Sequence, residues 1–182
     1  VELRSQKGEF IAWGLFNPNS NIRVRLYSWD QAVQPGGDLW RTRIERAIAL
    51  RRRLFDEGDA SRACGLIYSE GDELSGLVVD RYGDTLLVQW TSLALWQQRE
   101  TILEMLREIV QPKGIWLRTE RGMAEAEGLE MHDSLVWGDA PDRPLVINEH
   151  GVRFEVDVVE GQKTGYYFDQ RDNRLAVSRL TA

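Results

Sequence analysis

The densest run of chemically capable side chains lies near the end of the 182-residue chain, at residues 161–174, which read G-Q-K-T-G-Y-Y-F-D-Q-R-D-N-R. A turn bounded by Gly161 and Gly165 would present backbone N–H groups and the Lys163 ammonium, a combination suited to an anion. Asp169 and the arginines that follow add both signs of charge, which together select a zwitterion. The alternative is an ordinary helix start, in which Asp169 interacts with the helix dipole.

Three carboxylates and one thiol are the other candidates for chemistry. Glu70, Asp72 and Asp80 could supply an acid/base pair to a hydrolase, but each flanks a turn, where a structural role is favoured. Cys64, the single cysteine, lies in an apolar stretch without a neighbouring His or Lys, so we predict that it packs as a small hydrophobic residue. The two histidines have no ligand-spaced companions, so we predict neither a metal site nor a catalytic residue.

Composition limits the classes of protein that remain. The chain has 42% hydrophobic and 29% charged residues, a globular balance, and no apolar run of the roughly 18 residues that a membrane helix needs. One cysteine excludes an internal disulfide and suits a reducing cytoplasm. A net charge of −6 argues against nucleic-acid binding over the whole surface. The basic residues are nevertheless clustered, and either phosphate binding or a solvated face would explain Arg23, Arg25, Arg41, Arg43, Arg46, Arg51, Arg52 and Arg53.

Periodicity predicts the elements that position these residues. We expect strands at 9–16, 21–29, 63–69, 77–81, 85–91 and 115–119, and a hairpin of 145–148 with 152–159. Apolar residues at helical spacing predict helices over 39–56, capped by Asp38 and ended by Gly58, and over 94–110. Residues 120–129 are ambiguous. Strand runs interrupted by single helices favour an α+β fold over a parallel sheet.

Three stretches resemble one family. Residues 161–174 are similar to G-Q-K-T-G-[FY]-[FY]-L-D-Q-R-[ED]-[NS]-R, with Phe168 in place of Leu. Residues 69–84 are similar to [AG]-E-x-D-x-L-P-G-L-x-V-D-R-[YF]-G, with Ser75 in place of Pro. Residues 22–26, I-R-V-R-L, match the last strands of a PUA domain. The chain thus resembles bacterial 23S rRNA cytosine-5 methyltransferases that carry an N-terminal PUA domain.

The resemblance implies S-adenosylmethionine as the cofactor and RNA, of the ribosomal kind, as the partner. The expected cofactor-binding residues are Gln162, Lys163, Thr164, Tyr167, Asp169, Gln170, Arg171 and Arg174. The expected RNA-binding residues are Arg23, Arg25 and Arg81. The family's catalytic cysteine lies in a methyltransferase domain without a counterpart in these residues, so we expect an N-terminal fragment that is inactive alone.

The same resemblance predicts the domain order. A partial PUA-like unit is expected at residues 1–32, a central α+β domain at 38–140, and the opening of a Rossmann-like methyltransferase domain at 144–182. An incomplete PUA-like sheet would expose an edge at which two copies could form a homodimer. The alternative function is a stand-alone RNA-binding or assembly module that uses residues 41–53 as its contact surface.

Overall fold

A five-stranded mixed sheet forms the centre of the molecule. The computed structural model describes residues 1–55, 63–119, 121–130, 132–161 and 164–180. The strands lie in the order β4–β5–β6–β7–β8, and every neighbouring pair is antiparallel except β6 and β7. Their bounds are β4 Cys64–Tyr68, β5 Leu77–Tyr82, β6 Thr85–Trp90, β7 Gly114–Arg118 and β8 Ser134–Gly138. The expected mixture of helix and strand is present, but the sheet contains one parallel pair that was not expected.

Helices α1, Gly37–Leu54, and α3, Arg99–Val110, cover the first face of this sheet. Alternation along the strands sends every second side chain to this side, and the apolar faces of both helices bury them. The resulting first core contains, among others, Trp40, Ile44, Val79, Leu86, Val88, Ile102, Leu106 and Ile115.

Two predicted helix boundaries were wrong. Gly36, which has no side chain to cap the helix, precedes α1. Asp38 lies inside the first turn and not at the cap position, and its carboxylate interacts favourably there with the positive end of the helix dipole. The helix ends at Leu54, because Phe55 is extended; Gly58, predicted to end it, lies outside the described residues.

The single helix predicted over 94–110 is two helices. Helix α2, Leu93–Trp96, begins after Ser92, whose hydroxyl accepts the Leu95 N–H at 3.4 Å, and α3 starts only at Arg99. The ambiguous segment forms α4, Arg121–Glu127, and is followed by strand β8, which the sequence analysis missed. Within the ranges described above, no helix is long and apolar enough to cross a lipid bilayer.

The first residues form a separate small sheet of three antiparallel strands. These are β1 Glu2–Arg4, β2 Phe10–Phe16 and β3 Val24–Ser28, in the order β1–β2–β3. Strand β3 begins one residue after Arg23, so Arg23 and Arg25 do not share the strand expected for them. We call residues 1–29 the three-stranded unit.

A hairpin covers the second face of the five-stranded sheet. Strands β9, Leu145–Glu149, and β10, Val152–Val156, pair antiparallel around the expected turn, although β10 ends earlier than predicted. After an extended segment, a 3₁₀ turn at Phe168–Gln170 leads into α5, Arg171–Ser178. The hairpin and the segment after it form a second core with the sheet, which contains Ala63, Tyr82, Leu87, Ile147, Val156 and Val158.

Candidate functional site

The predicted cofactor segment leaves the second core through a tight turn. The Asp157 carboxylate accepts the N–H groups of Val159 and Glu160, each at 2.9 Å, and the Gly161 N–H donates to the Asp157 carbonyl at 2.9 Å. These bonds, with the neighbouring Arg143 guanidinium, hold the pKa of Asp157 low, at about 2. These hydrogen bonds fix the backbone of residues 157–161, from which the rest of the segment continues.

Both glycines that bound the motif are required by the backbone. A Cβ on Gly161 would lie 2.1 Å from the Asp157 carbonyl oxygen. Gly165 has φ +95°, and a Cβ there would lie 2.9 Å from the Val156 side chain. A larger residue at either position would push the chain away from β10, because these contacts are shorter than packed atoms allow.

Arg118, at the end of β7, holds the start of the segment against the sheet. Its guanidinium donates to the carbonyl oxygens of Val159 and Gly161, the latter at 2.7 Å, and pairs with Asp133 at 2.8 Å. The sequence analysis missed this residue, because the two carbonyl oxygens that it binds lie more than 40 positions later in the chain. The one signal in the sequence was that Arg118 lies near the end of a predicted strand.

Two side chains of strand β5 bind the next described residue of the segment, Thr164. The Tyr82 hydroxyl donates to the Thr164 carbonyl at 2.7 Å, and the Asp80 carboxyl also hydrogen-bonds with Thr164. Asp80 is only 7% exposed, and this burial raises its pKa to about 6, although the hydrogen bond acts in the opposite direction. Burial also raises the pKa of Tyr82 above its usual range.

The three consecutive aromatic residues point in two directions. Tyr166 and Phe168 pack on each other with ring centroids 5.4 Å apart, and Phe168 contacts Tyr82 at 5.1 Å. Tyr167 lies between them and points outward, with 44% of its surface exposed. The alternation exposes the Tyr167 side chain to solvent, while the rings of Tyr166 and Phe168 pack against the protein.

Arg174, on the first turns of α5, pairs with the buried Glu149 of β9. Two parallel hydrogen bonds join them, Nε to Oε1 at 2.7 Å and a terminal nitrogen to Oε2 at 2.8 Å. The same guanidinium donates to the Tyr167 carbonyl at 2.9 Å and lies over the Tyr166 ring, 4.4 Å from its centroid. Hydrogen bonds from Arg174 outweigh burial and lower the pKa of Glu149, so this clamp is an ion pair.

The structure thus divides the expected cofactor residues into two groups. Thr164 and Arg174 are engaged internally, and Arg171 lies over the Phe55 ring at 5.4 Å from its centroid. The exposed group consists of Tyr167, Asp169 and Gln170, in which the Gln170 amide donates to the Asp169 carboxylate at 2.9 Å. Gln162 and Lys163 lie outside the described residues.

The three expected RNA-binding arginines are not brought together. Arg23 is exposed at the turn before β3. The side chain of Arg25 is 14% exposed and pairs with Glu127 at 3.1 Å and Glu70 at 3.5 Å. On β5, Arg81 donates to the Gly83 carbonyl at 2.8 Å. The guanidinium of Arg25 therefore connects β3 to Glu127 of α4 and to Glu70.

The basic cluster of α1 is also mostly committed to the protein's own carboxylates. Arg46 pairs with Glu73 at 2.7 Å, and Arg51 donates to both oxygens of Asp72, one of them at 2.8 Å. Arg41 pairs with Glu108. The Asp72 carboxylate is thus held by an arginine of α1.

The candidates for other chemistry have structural partners. Glu70 accepts from the Ser75 hydroxyl at 2.6 Å, whereas Asp72 and Asp80 are held by Arg51 and Thr164, so each of the three carboxyl groups has a partner within the protein. Burial raises the pKa of the Cys64 thiol to about 11, which makes it a poor nucleophile at neutral pH. In the part of the chain that the structure describes, no group of His, Cys, Asp and Glu could hold a metal ion.

Comparison with known proteins finds one matching domain family and several proteins similar to this chain in sequence or in fold. The profile of the PUA-like domain family matches residues 1–29. Two solved structures share the fold at a TM-score of 0.80 and 21% identity: one from Streptococcus mutans, provisionally described as a SAM-dependent methyltransferase, and a methyltransferase, likewise provisionally described, complexed with SAH. The chain aligns over 97% and 96% of its length with 44% and 43% of theirs.

Curated relatives extend the similarity along the whole chain. Ribosomal RNA large subunit methyltransferase I of Pseudoalteromonas translucida is 32% identical over 183 residues, covering 100% of this chain and 46% of the relative. The protein of the same name from Shewanella denitrificans is 35% identical over 180 residues, covering 99% and 45%. The chain is therefore similar, from end to end, to ribosomal RNA large subunit methyltransferase I, and spans somewhat less than half the length of these relatives.

Proposed function

We propose that the chain is the RNA-recognition and cofactor-loop part of an S-adenosylmethionine-dependent methyltransferase that acts on cytosine C5 of large-subunit rRNA. The observation that carries the proposal is the segment 164–174, which is clamped from below by β5 and β9 while Tyr167, Asp169 and Gln170 face the solvent. The whole-length similarity to rRNA methyltransferases supports the same reaction class. The cytosine assignment rests on the motif resemblance.

The exposed residues of the segment fit the methionine end of the cofactor. The Asp169 carboxylate would accept from the ammonium group, and the Gln170 amide would bind the carboxylate, while the face of Tyr167 supplies apolar contact. The cofactor itself supplies the methyl group. Arg174 and Arg118 would act as positioning residues, because Arg174 bonds to the Tyr167 carbonyl within the segment and Arg118 to the Gly161 carbonyl just before it.

The nucleophile of a covalent cytosine reaction is not found in the described residues. Cys64 is partly buried with a raised pKa, so it does not supply the thiolate that attack on a base requires. We therefore expect no methyl transfer by these 182 residues alone and only weak cofactor binding. The domain bounds 1–32, 38–140 and 144–182, the cytoplasmic location and the homodimer stay predictions.

RNA would bind through the three-stranded unit, which matches the PUA-like family. Arg23 remains a suitable contact, because its side chain is exposed, whereas Arg25 would act indirectly through its internal ion pairs. The alternative of a separate binding module loses support, because Arg41, Arg46 and Arg51 of its proposed surface pair with carboxylates of the same chain.

Binding measurements on the 182-residue chain test the proposal. We expect an in vitro transcript of large-subunit rRNA to bind with an affinity that falls as salt rises, because phosphate contacts release counterions. Millimolar S-adenosylmethionine should shift NMR signals at Tyr167, Asp169 and Gln170, and Asp169→Asn should weaken these shifts, with Asp142→Asn as the exposed control. An absence of RNA binding, or cofactor shifts spread evenly over the surface, would contradict it.

A further inference from the structure

The buried carboxylate of Glu127 joins the three-stranded unit to the rest of the protein. Glu127 ends α4 and is 4% exposed. Its two oxygens accept from Ser20 Oγ at 2.6 Å, Asn17 Nδ2 at 3.1 Å and Arg25 at 3.1 Å, all in the three-stranded unit. They also accept the backbone N–H of Leu93, at the start of α2, at 3.2 Å. Donors from two separate parts of the chain, the three-stranded unit and the start of α2, thus converge on one side chain.

The four donors keep this carboxylate ionised. Burial alone would raise the pKa of Glu127, but hydrogen bonds from Ser20, Asn17 and Arg25 outweigh it, and the pKa is lowered. An ionised carboxylate with this many donors tolerates little change in direction, because each lost bond would leave a buried charge less well satisfied. The Asn17 amide adds a further bond, at 3.0 Å, to the backbone carbonyl of Glu127 itself.

A second contact lies beside the first and has a different character. The Tyr27 ring packs edge-on against Trp40 of α1, with centroids 5.0 Å apart, and its hydroxyl donates to the Ser75 carbonyl at 2.6 Å. Arg25 also donates to Ser75 Oγ, at 3.2 Å. Apolar packing of this kind resists separation of the two units but is only weakly directional. Direction comes from the hydrogen bonds, of which the Glu127 carboxylate accepts three from the three-stranded unit, while Ser75 accepts two.

We propose that Glu127 is a positioning residue that sets the angle between the three-stranded unit and the five-stranded sheet. This inference rests on the proposed function: the angle would bring RNA that is bound by the three-stranded unit to the segment 164–174 in one orientation. The residue contacts neither RNA nor cofactor in this role. It acts through Asn17, Ser20 and Arg25, whose strands and turn it holds.

Distance measurements between the two units test this role directly. Spin labels at Lys7→Cys, in the three-stranded unit, and at Glu104→Cys, on the exposed side of α3, would be placed in a Cys64→Ser background. With Glu127 unchanged, the two labels should give one narrow distance distribution by pulsed electron paramagnetic resonance. In Glu127→Gln, one accepting oxygen becomes an N–H₂ group that faces other donors, so the distribution should broaden or shift.

Two controls separate positioning from stability. Glu125→Gln changes an exposed carboxylate on the same helix and should leave the distances unchanged. Ile102→Val truncates a side chain of α3 in the first core and leaves every hydrogen bond to Glu127 in place, so it should lower the melting temperature without moving the labels. A distribution that is unchanged in Glu127→Gln would overturn the proposal, as would an equal broadening in Ile102→Val.

The RNA measurement distinguishes failure of this role from failure of the proposed function. We expect Glu127→Gln to weaken binding of the large-subunit rRNA transcript about tenfold, equivalent to the loss of about one charge-assisted bond, and Glu125→Gln to leave it unchanged. Unchanged binding in a variant with altered distances would overturn the link between angle and RNA. If the unmodified chain fails to bind the transcript, the proposed function is wrong, while the label distances still decide whether Glu127 sets the angle.

Discussion

Asp80 lies under the segment with its carboxyl group almost removed from water. A carboxylate in this position normally has a compensating cation or several donors. For Asp80, the hydrogen bond with Thr164 is the interaction that lowers the pKa, and burial outweighs it. Its pKa is therefore raised to about 6 rather than lowered. Because the folded protein keeps a proton that the unfolded chain releases, Asp80 makes the stability of the protein depend on pH.

The sign of this dependence follows from proton binding. Between pH 4 and 6 the folded state holds the Asp80 proton and the unfolded state does not, so stability should fall as the pH rises through this range. A shift of about two units corresponds to roughly 3 kcal/mol at most. Asp80→Asn should remove this penalty and stabilise the protein at pH 7.5, as measured by urea unfolding across pH. The exposed Asp142→Asn is the matched control, and an unchanged pH slope in Asp80→Asn would refute the assignment.

The roles of individual arginines could not be predicted from the sequence. Arg25, Arg51 and Arg174 have the residue type that binds phosphate or carboxylate, and the resemblance or their clustering suggested ligands for them. Their partners lie 102, 21 and 25 positions away, so only the folded chain shows that each charge is used internally. The residue type indicates binding to phosphate or carboxylate, and long-range pairing makes the partner a carboxylate of the same chain in these three cases.

The ion pair of Arg174 with Glu149 joins helix α5 to the hairpin. Arg174→Ala would leave the Glu149 carboxylate buried without its cation, and we expect a loss of about 2 to 4 kcal/mol in unfolding free energy. The lower part of this range is favoured, because the Arg174 side chain is partly exposed. Chemical denaturation measures the effect, with Arg179→Ala, exposed at the end of the same helix, as control. Equal stability of the two variants would show that the ion pair does not hold α5.

Elements with strong periodicity were predicted well, and those defined by pairing were not. The hairpin β9–β10 and helix α1 follow from alternation and helical spacing, with errors of a few residues at their ends. The break between α2 and α3 has no Pro or Gly to mark it, and falls at Gln97 and Gln98. Strand β8 is short and follows an ambiguous segment; its pairing with β7 makes it a strand, and this contact is not visible in local sequence.

At the scale of the whole molecule, the five-stranded sheet separates two cores of unequal size. Among the residues that the structure describes, the first core includes most of the buried apolar ones and both long helices, whereas the second is formed by six buried residues and the partly buried side chains around them. The segment that carries the candidate site belongs to the smaller core. We therefore expect the hairpin and α5 to open locally while the first core stays folded, since local stability follows buried apolar contact.

Hydrogen exchange followed by mass spectrometry tests this expectation. Val158 is fully buried in the second core, and Val158→Ala should lower its local opening free energy by about 2 kcal/mol. Amides of 145–159 and 166–178 should then exchange roughly thirtyfold faster, while those of β5, β6 and β7 keep their rates. Val177→Ala, an exposed change on α5, should alter neither set. If Val158→Ala instead accelerates exchange equally in both cores, the protein opens as one cooperative unit, and the candidate site has no independent mobility.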